Sequence, residues 1–313
     1  MIVVWQILTQ FPGVAYVSYP KTYANFLSYM DFINLNFVSM FSVSCIFPHI
    51  NFYHELLAVT LLPLAMVLVM AVTFAKAYRE TASNPQARQE AVARHASVGL
   101  LVAFLILSSA STTIVRMFMC ESFEDLGGAR FLKADYSLSC DTQEYRAYRA
   151  YASLMILYYP IGIPVLFLSL LWANKDGLNP EIVVPPTVVT IAPHQVIEVK
   201  EATRASDPAL QPTRILWGAY APGNYTYEVV ECGRRLLLTS ALVMIEPGTT
   251  TQCALACVFA FLSLVAFELI MPYTSKDDAW LYRMGCMVIF FSNFLALMMK
   301  AKIANERQHH VYA

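Results

Sequence analysis

The sequence predicts an all-α, multi-pass membrane protein: one polytopic domain over residues 1–313, built as a bundle of about six to eight transmembrane helices. Of its residues 58% are hydrophobic and only 14% are charged, whereas soluble domains carry about 25% charged residues. The charges are clustered and leave uncharged runs of spanning length, since a bilayer core needs about 20 mostly apolar residues per helix. The main runs are apolar on all sides, which argues against a soluble helical domain with amphipathic stripes.

Six segments are predicted to span the membrane, and four of them contain no charge. The uncharged spans are 56–75, 96–115, 150–174 and 247–267, and the spans with charges near one end are 227–245 and 279–299. The opening segment 1–19 is a seventh candidate, although Pro12 and Gly13 interrupt it. The more polar segment 22–47 is expected to form an interfacial or re-entrant piece.

The distribution of lysine and arginine predicts the orientation, because cytoplasmic loops carry an excess of both. The loops 76–95 and 175–225 are rich in these residues and the turn 246–250 has none, which places 76–95, 175–225 and 273–280 in the cytosol. The loop 120–149 then lies outside, where its four basic residues are balanced by six acidic ones. Seven prolines punctuate 175–225, and this spacing predicts an extended cytosolic linker.

Two cysteines flank the predicted outer loop. Cys120 and Cys140 are candidates for a disulfide, because disulfides persist on the oxidising side of a membrane. Spacing alone does not determine connectivity. Two unpaired thiols, or a bridge to Cys45, which is also predicted to lie outside, are the alternatives.

Three helix breakers interrupt the span 150–174. Pro160, Gly162 and Pro164 lie in its middle, in the stretch YYPIGIP. Each proline removes a backbone donor, and in lipid the carbonyl left without a partner has to be satisfied by neighbouring groups. We interpret the three residues as a kink that fits the span against its neighbours, or as a hinge that changes shape.

Charged residues within the predicted spans are the remaining site candidates. Glu228, Glu231, Arg234 and Arg235 lie on adjacent turns of one helix, so that Glu231 can pair with Arg234 or with Arg235. They form either a structural cluster that snorkels at the membrane end or a functional intramembrane site. Glu268, near the end of its span, is a pore candidate or an interfacial carboxylate.

No motif in the sequence indicates an enzyme, a cofactor or a metal site. The histidines lack HExxH spacing, and no GxSxG or P-loop is present. The net charge of −1 provides no basic surface for nucleic acid. The expected partner is the lipid bilayer, of the plasma membrane or an endomembrane. Inorganic cations and a second copy of the chain, forming a homo-oligomer, are further candidates.

Two blocks carry a family resemblance. STTIVRMFMC, DYSLSC and YYPIGIP within 111–172, and EVVECGRR within 216–252, resemble the polytopic region of transient-receptor-potential-like (TRP-like) membrane proteins of oomycetes, algae and other protists, of the TRP C-terminal-domain type. MPYTSKDDAW at 271–280 resembles the loop before their last helices. The start of the chain resembles the end of a preceding span, which predicts a fragment of a longer protein.

The resemblance implies a channel-like protein, such as a cation channel subunit. A transporter or lipid-handling protein is an alternative, because broken helices are typical of transporters. A non-conducting membrane anchor or receptor stem is another, because the sequence contains no recognisable selectivity-filter motif.

Overall fold

A computed structural model shows a helical protein and describes residues 2–15, 19–30, 51–124, 127–181 and 193–312. Within these ranges five helical segments are long and apolar enough to cross a membrane, namely Phe52–Glu80, Pro85–Arg116, Gln143–Ala173, Thr250–Ile270 and Lys276–Lys302. The predicted class, an all-α multi-pass membrane protein, is therefore confirmed.

The described α-helices are, in chain order, α1 (Ile2–Ala15), α2 (Lys21–Met30), α3 (Phe52–Glu80), α4 (Pro85–Arg116), α5 (Gln143–Ile156), α6 (Ile163–Ala173), α7 (Lys175–Leu178), α8 (Pro193–Ser206), α9 (Arg214–Trp217), α10 (Tyr227–Thr239), α11 (Thr250–Ile270) and α12 (Lys276–Tyr312). Short 3₁₀ turns are found at Gln211–Thr213, Pro222–Asn224 and Ala241–Met244. A π-helical segment, Leu157–Gly162, joins α5 to α6. Three short strands, β1 (Cys120–Phe123), β2 (Ala129–Leu132) and β3 (Asp135–Ser139), lie between α4 and α5.

Helices α3 and α4 pack against each other as a helical hairpin, and a side-chain cap fixes where each of them begins. The Asn51 side chain accepts from the backbone N–H of Tyr53 and His54 at the start of α3. Asn84 caps α4 in the same way, with Pro85 in the first turn, where its missing N–H costs nothing. Most of the predicted loop 76–95 is therefore helical, and both helices continue past their apolar runs.

Helix α4 lies at the centre of the bundle. Its residues 106–115 are all buried, and they contribute to two cores. Leu107 and Ile114 pack with α3, α5 and α6, while Val115 packs with α1, α11 and α12.

Two predicted spans, 1–19 and 227–245, contain α1 with 14 residues and α10 with 13 in the described part of the chain. Residues 16–18 lie outside the described residues, and a 3₁₀ turn at Ala241–Met244 follows α10. Both helices lie inside the bundle. They pack against each other and against α4, so neighbouring helices cover much of their surface.

The segment after α4 is an antiparallel sheet in the order β1-β2-β3. Cys120 and Cys140 form a disulfide across it, which confirms that pairing; Cys45 lies outside the described residues. Gly127 and Gly128 turn the β1–β2 hairpin with φ of 67° and 79°, a conformation that side chains disfavour. A hydrogen bond from Arg130 lowers the pKa of Asp141. Helix α5 starts at Gln143, earlier than the end of the predicted loop 120–149.

The prediction of an extended linker over 175–225 is wrong for its described part, which contains α7, α8 and α9. Arg204 of α8 is only 3% exposed. It donates to the Tyr220 carbonyl at 2.5 Å and lies over the Trp217 ring. These long-range contacts stabilise helices that the proline spacing alone disfavours. Residues 182–192, and most of the predicted interfacial piece 22–47, lie outside the described residues.

Candidate functional site

The ion cluster, Glu228, Glu231, Arg234 and Arg235 on α10, is buried. Glu228 is 6% exposed, Glu231 4% and Arg235 0%. Snorkelling side chains keep their charged ends in water, and these ends are instead covered by protein. Charges in such surroundings need partners, because burying an isolated charge is costly.

Glu231 and Arg234 form the well-bonded half of the cluster. The Arg234 guanidinium donates from Nε to Glu231 Oε2 at 2.9 Å, and also from Nη2 to Oε1. The Tyr282 hydroxyl on α12 donates to the same carboxylate at 2.7 Å. This is the i,i+3 pair of the two that the sequence allows, and it joins α10 to α12.

Arg235 turns away from Glu231 toward α4. Its Nη1 donates to the Phe104 carbonyl at 2.8 Å, and its guanidinium lies over the Phe104 ring, 4.0 Å from the centroid. Its Nη2 is 4.0 Å from Glu228 Oε1. Neither of these two atoms, nor Arg235 Nε, has a hydrogen-bond partner among the described residues. Arg235 and Glu228 are therefore a loose ion pair, close but unbonded.

A cavity of about 480 Å³, the polar cavity, lies beside the cluster. Its walls come from α1, α4, α10 and α12 and from the segments before α10 and α12. They are Val3, Val4, Phe104, Ala219, Tyr220, Glu228, Glu231, Arg234, Tyr273, Asp278, Leu281 and Tyr282. The lining contains three carboxylates and one guanidinium, and the Arg235 guanidinium lies 4.0 Å from one of these carboxylates, Glu228.

Beyond Arg235, buried polar side chains continue along α4. The Gln6 side-chain amide donates to the Leu105 carbonyl at 2.8 Å. The hydroxyl oxygens of Ser108 and Thr239 lie 3.2 Å apart, and those of Thr112 and Ser240 lie 3.3 Å apart. These five side chains, the polar seam, follow α4 from residue 105 to 112, a rise of about 10 Å. None of them was predicted from the sequence, although the stretch SSASTT at 108–113, with five hydroxyl residues among six, is a usable signal.

Glu268, the pore candidate, lies elsewhere. Arg283 of α12 donates to it from Nη2 at 3.0 Å and also from Nε. The side chains of Glu268 and Arg283 are 37% and 34% exposed. This pair joins α11 to α12, and Glu268 is not among the residues that line the polar cavity.

The stretch YYPIGIP adopts a π-helical turn between α5 and α6. Tyr159 is fully buried and its hydroxyl donates to the Thr60 carbonyl of α3 at 2.6 Å. A side chain at Gly162 would place its Cβ 2.9 Å from the Leu157 carbonyl oxygen. Gly162 is therefore required by the close approach of its own helix backbone, whereas proline accounts for the missing donors at 160 and 164.

Replacing Gly162 by alanine is expected to destabilise the protein by about 1–3 kcal/mol, the usual cost of overpacking. The measurement is thermal unfolding of the purified protein in detergent. Gly233→Ala is the matched control, because Gly233 is helical and nothing lies within 4 Å of the added Cβ. The control is expected to be neutral or stabilising by about 0.5–1 kcal/mol. Equal stability of both variants would show that the π turn relaxes freely.

No family model, curated protein or solved structure matches this chain. The fold and site define a class, a multi-pass α-helical membrane protein with a buried ion cluster. The resemblance of 111–172 and 216–252 to TRP-like proteins stays a prediction.

Proposed function

We propose that this protein is a channel-like membrane protein that passes small inorganic cations, and that Arg235 closes its path. The observation that carries the proposal is that three features follow one another along α10 and α4. They are an acidic polar cavity, the buried Arg235 guanidinium next to two of its lining residues, Phe104 and Glu228, and a polar seam beyond it. Ionisable residues within membrane proteins typically mark ion pathways.

The charges explain where cations collect and where they stop. The carboxylates of Glu228, Glu231 and Asp278 outnumber the guanidinium of Arg234 in the cavity lining. An arginine in a narrow path repels cations, and along α10 Arg235 lies between the cavity residues Glu228 and Glu231 and the seam residues Thr239 and Ser240.

The bonding of Arg235 supports a movable gate. Among the described residues its Nη1 donates to the Phe104 carbonyl, Nε and Nη2 have no hydrogen-bond partner, and Nη2 lies 4.0 Å from Glu228 Oε1. A shift of the guanidinium toward Glu228 exchanges one neutral-acceptor bond for a stronger charge-assisted one. The shift also moves the positive charge away from the seam.

The test is cation flux into vesicles that contain the purified protein. Arg235→Gln is expected to raise potassium or sodium flux about tenfold or more, since a barrier lowered by only about 1.4 kcal/mol gives tenfold. The double variant Glu228→Gln/Arg235→Gln avoids leaving a buried charge unpaired, and it is expected to stay open. Arg283→Gln removes the same charge outside the cavity and should leave flux at the wild-type level.

An absence of cation flux in the variants would contradict the proposal. If folded Arg235→Gln and the double variant both pass no cations, the protein is a non-conducting anchor. A second candidate, a transporter, is favoured by the π-helical turn that interrupts the α-helical span between α5 and α6, because irregular helices near the middle of a span are typical of transporters. Saturable flux with exchange of labelled for unlabelled cation across the vesicle would identify a transporter instead.

A further inference from the structure

A second cavity, of about 570 Å³, lies on the other side of α4 from the polar seam; we call it the apolar groove. It runs between α3, α4 and the π-helical turn, and its lining includes Pro63, Val67, Gly99, Ala103, Tyr159 and Gly162. Apart from tyrosine and threonine hydroxyls, the lining side chains are hydrocarbon, proline or glycine. Its volume is within the range of ordinary ligand sites.

We propose that the apolar groove binds one acyl chain of a phospholipid with an anionic headgroup. Its three walls belong to segments of membrane-spanning length, so the medium at the groove is lipid hydrocarbon rather than water. Leu157, Tyr158 and Leu166 line it and are themselves 47–61% exposed, which places the opening on the lipid-facing surface. An apolar recess at this depth is filled by what surrounds it, a lipid tail.

The charge at one end of the groove selects the headgroup. There the lining ends at Ala96, Pro212 and Thr213, and the Ser97 hydroxyl donates to the Pro212 carbonyl at 3.4 Å. Arg214 directly follows the lining residue Thr213 and is exposed. Guanidinium groups bind phosphate through paired hydrogen bonds, so Arg214 is the residue that we assign to the headgroup.

The groove wall that faces α3 and α4 is formed by the π-helical turn and the start of α6. Gly162 of the turn and Ile163 of α6 line the groove, and the Tyr159 hydroxyl of the turn donates to the Thr60 carbonyl of α3. A bound tail therefore contacts both segments that the Tyr159 hydrogen bond connects.

Photo-crosslinking tests the site without any flux measurement. The full-length protein is placed in vesicles of phosphatidylglycerol that carries a photoactivatable diazirine in one acyl chain. Labelled peptides are expected from α3, α4 and the π-helical turn. Ala103→Phe fills the groove and should reduce that labelling several-fold. Val98→Phe adds the same ring to α4 at a position that is 45% exposed and does not line the groove, and it should leave labelling unchanged.

A second groove-filling variant and a second lipid test the groove and the headgroup separately. If Ala103→Phe does not fold, Gly99→Leu fills the groove from one turn away and is expected to give the same loss. Equal labelling of groove-filling and control variants would overturn the site and indicate only general lipid contact. Phosphatidylcholine with the same tail should label less, and Arg214→Gln should abolish that difference. Identical labelling by both lipids would overturn the headgroup assignment.

Discussion

Replacing Glu231 by glutamine is expected to lower the free energy of unfolding by about 3–5 kcal/mol, the cost of leaving a buried charge without its partner. Glu231 is 4% exposed and accepts from Arg234 and Tyr282. The substitution leaves the Arg234 guanidinium buried and unneutralised. It also weakens the connection between α10 and α12. Equilibrium unfolding of the purified protein in mixed micelles measures the loss.

Two further variants separate burial from charge pairing. Glu268→Gln removes the carboxylate of a bidentate pair that is about one-third exposed, and its effect should be much smaller, because exposed pairs contribute little. Glu231→Gln/Arg234→Gln removes both charges and should recover part of the lost stability. If Glu231→Gln is no more destabilising than Glu268→Gln, the pair is incidental.

The fold class followed from the sequence because the bilayer imposes a length and an apolarity on every span. The runs 56–75, 96–115 and 247–267 needed no tertiary information to be identified. Composition, however, shows which segments are apolar enough to lie in lipid, and it does not show which helices pack against each other. It therefore did not show that α1 and α10 pack against each other and against α4.

The sequence predicted which four residues form the ion cluster, but it only partly predicted which of them pair. Helical spacing allows Glu231 to reach Arg234 or Arg235 equally. The Phe104 carbonyl on α4 decides between the two pairs, because it accepts from Arg235 at 2.8 Å and so holds Arg235 away from Glu231. Phe104 is 131 residues away from Arg235 in sequence. The Tyr282 hydroxyl, from another distant helix, completes the Glu231 site.

The helix breakers at 160–164 were visible in the sequence, and the π-helical turn was not. Proline predicts lost donors, and it does not specify whether a helix bends, breaks or changes its hydrogen-bond register. The apolar groove beside that turn needs three segments in place, so pattern reading along one segment cannot find it.

Removing the disulfide with Cys120→Ser/Cys140→Ser is expected to destabilise the β1-β2-β3 sheet by about 3 kcal/mol in the chain-entropy model, which assigns that cost to a loop of about 15–20 residues. The bridge joins residues 20 apart in sequence. It ties the start of β1 to the residue after β3, just before α5. Local unfolding, followed by hydrogen exchange of the sheet amides, should rise, while the helical core should keep its protection.

A reductant provides the matched control for this prediction. It should destabilise the wild-type sheet and leave the double variant unchanged, because Cys232, Cys253, Cys257 and Cys286 are free thiols in the structure. In intact cells, a maleimide that cannot cross membranes should label reduced wild-type protein at Cys120 and Cys140, if this sheet faces outward. Labelling only after permeabilisation would reverse the predicted orientation. A double variant with unchanged exchange would show that strand pairing alone stabilises the sheet.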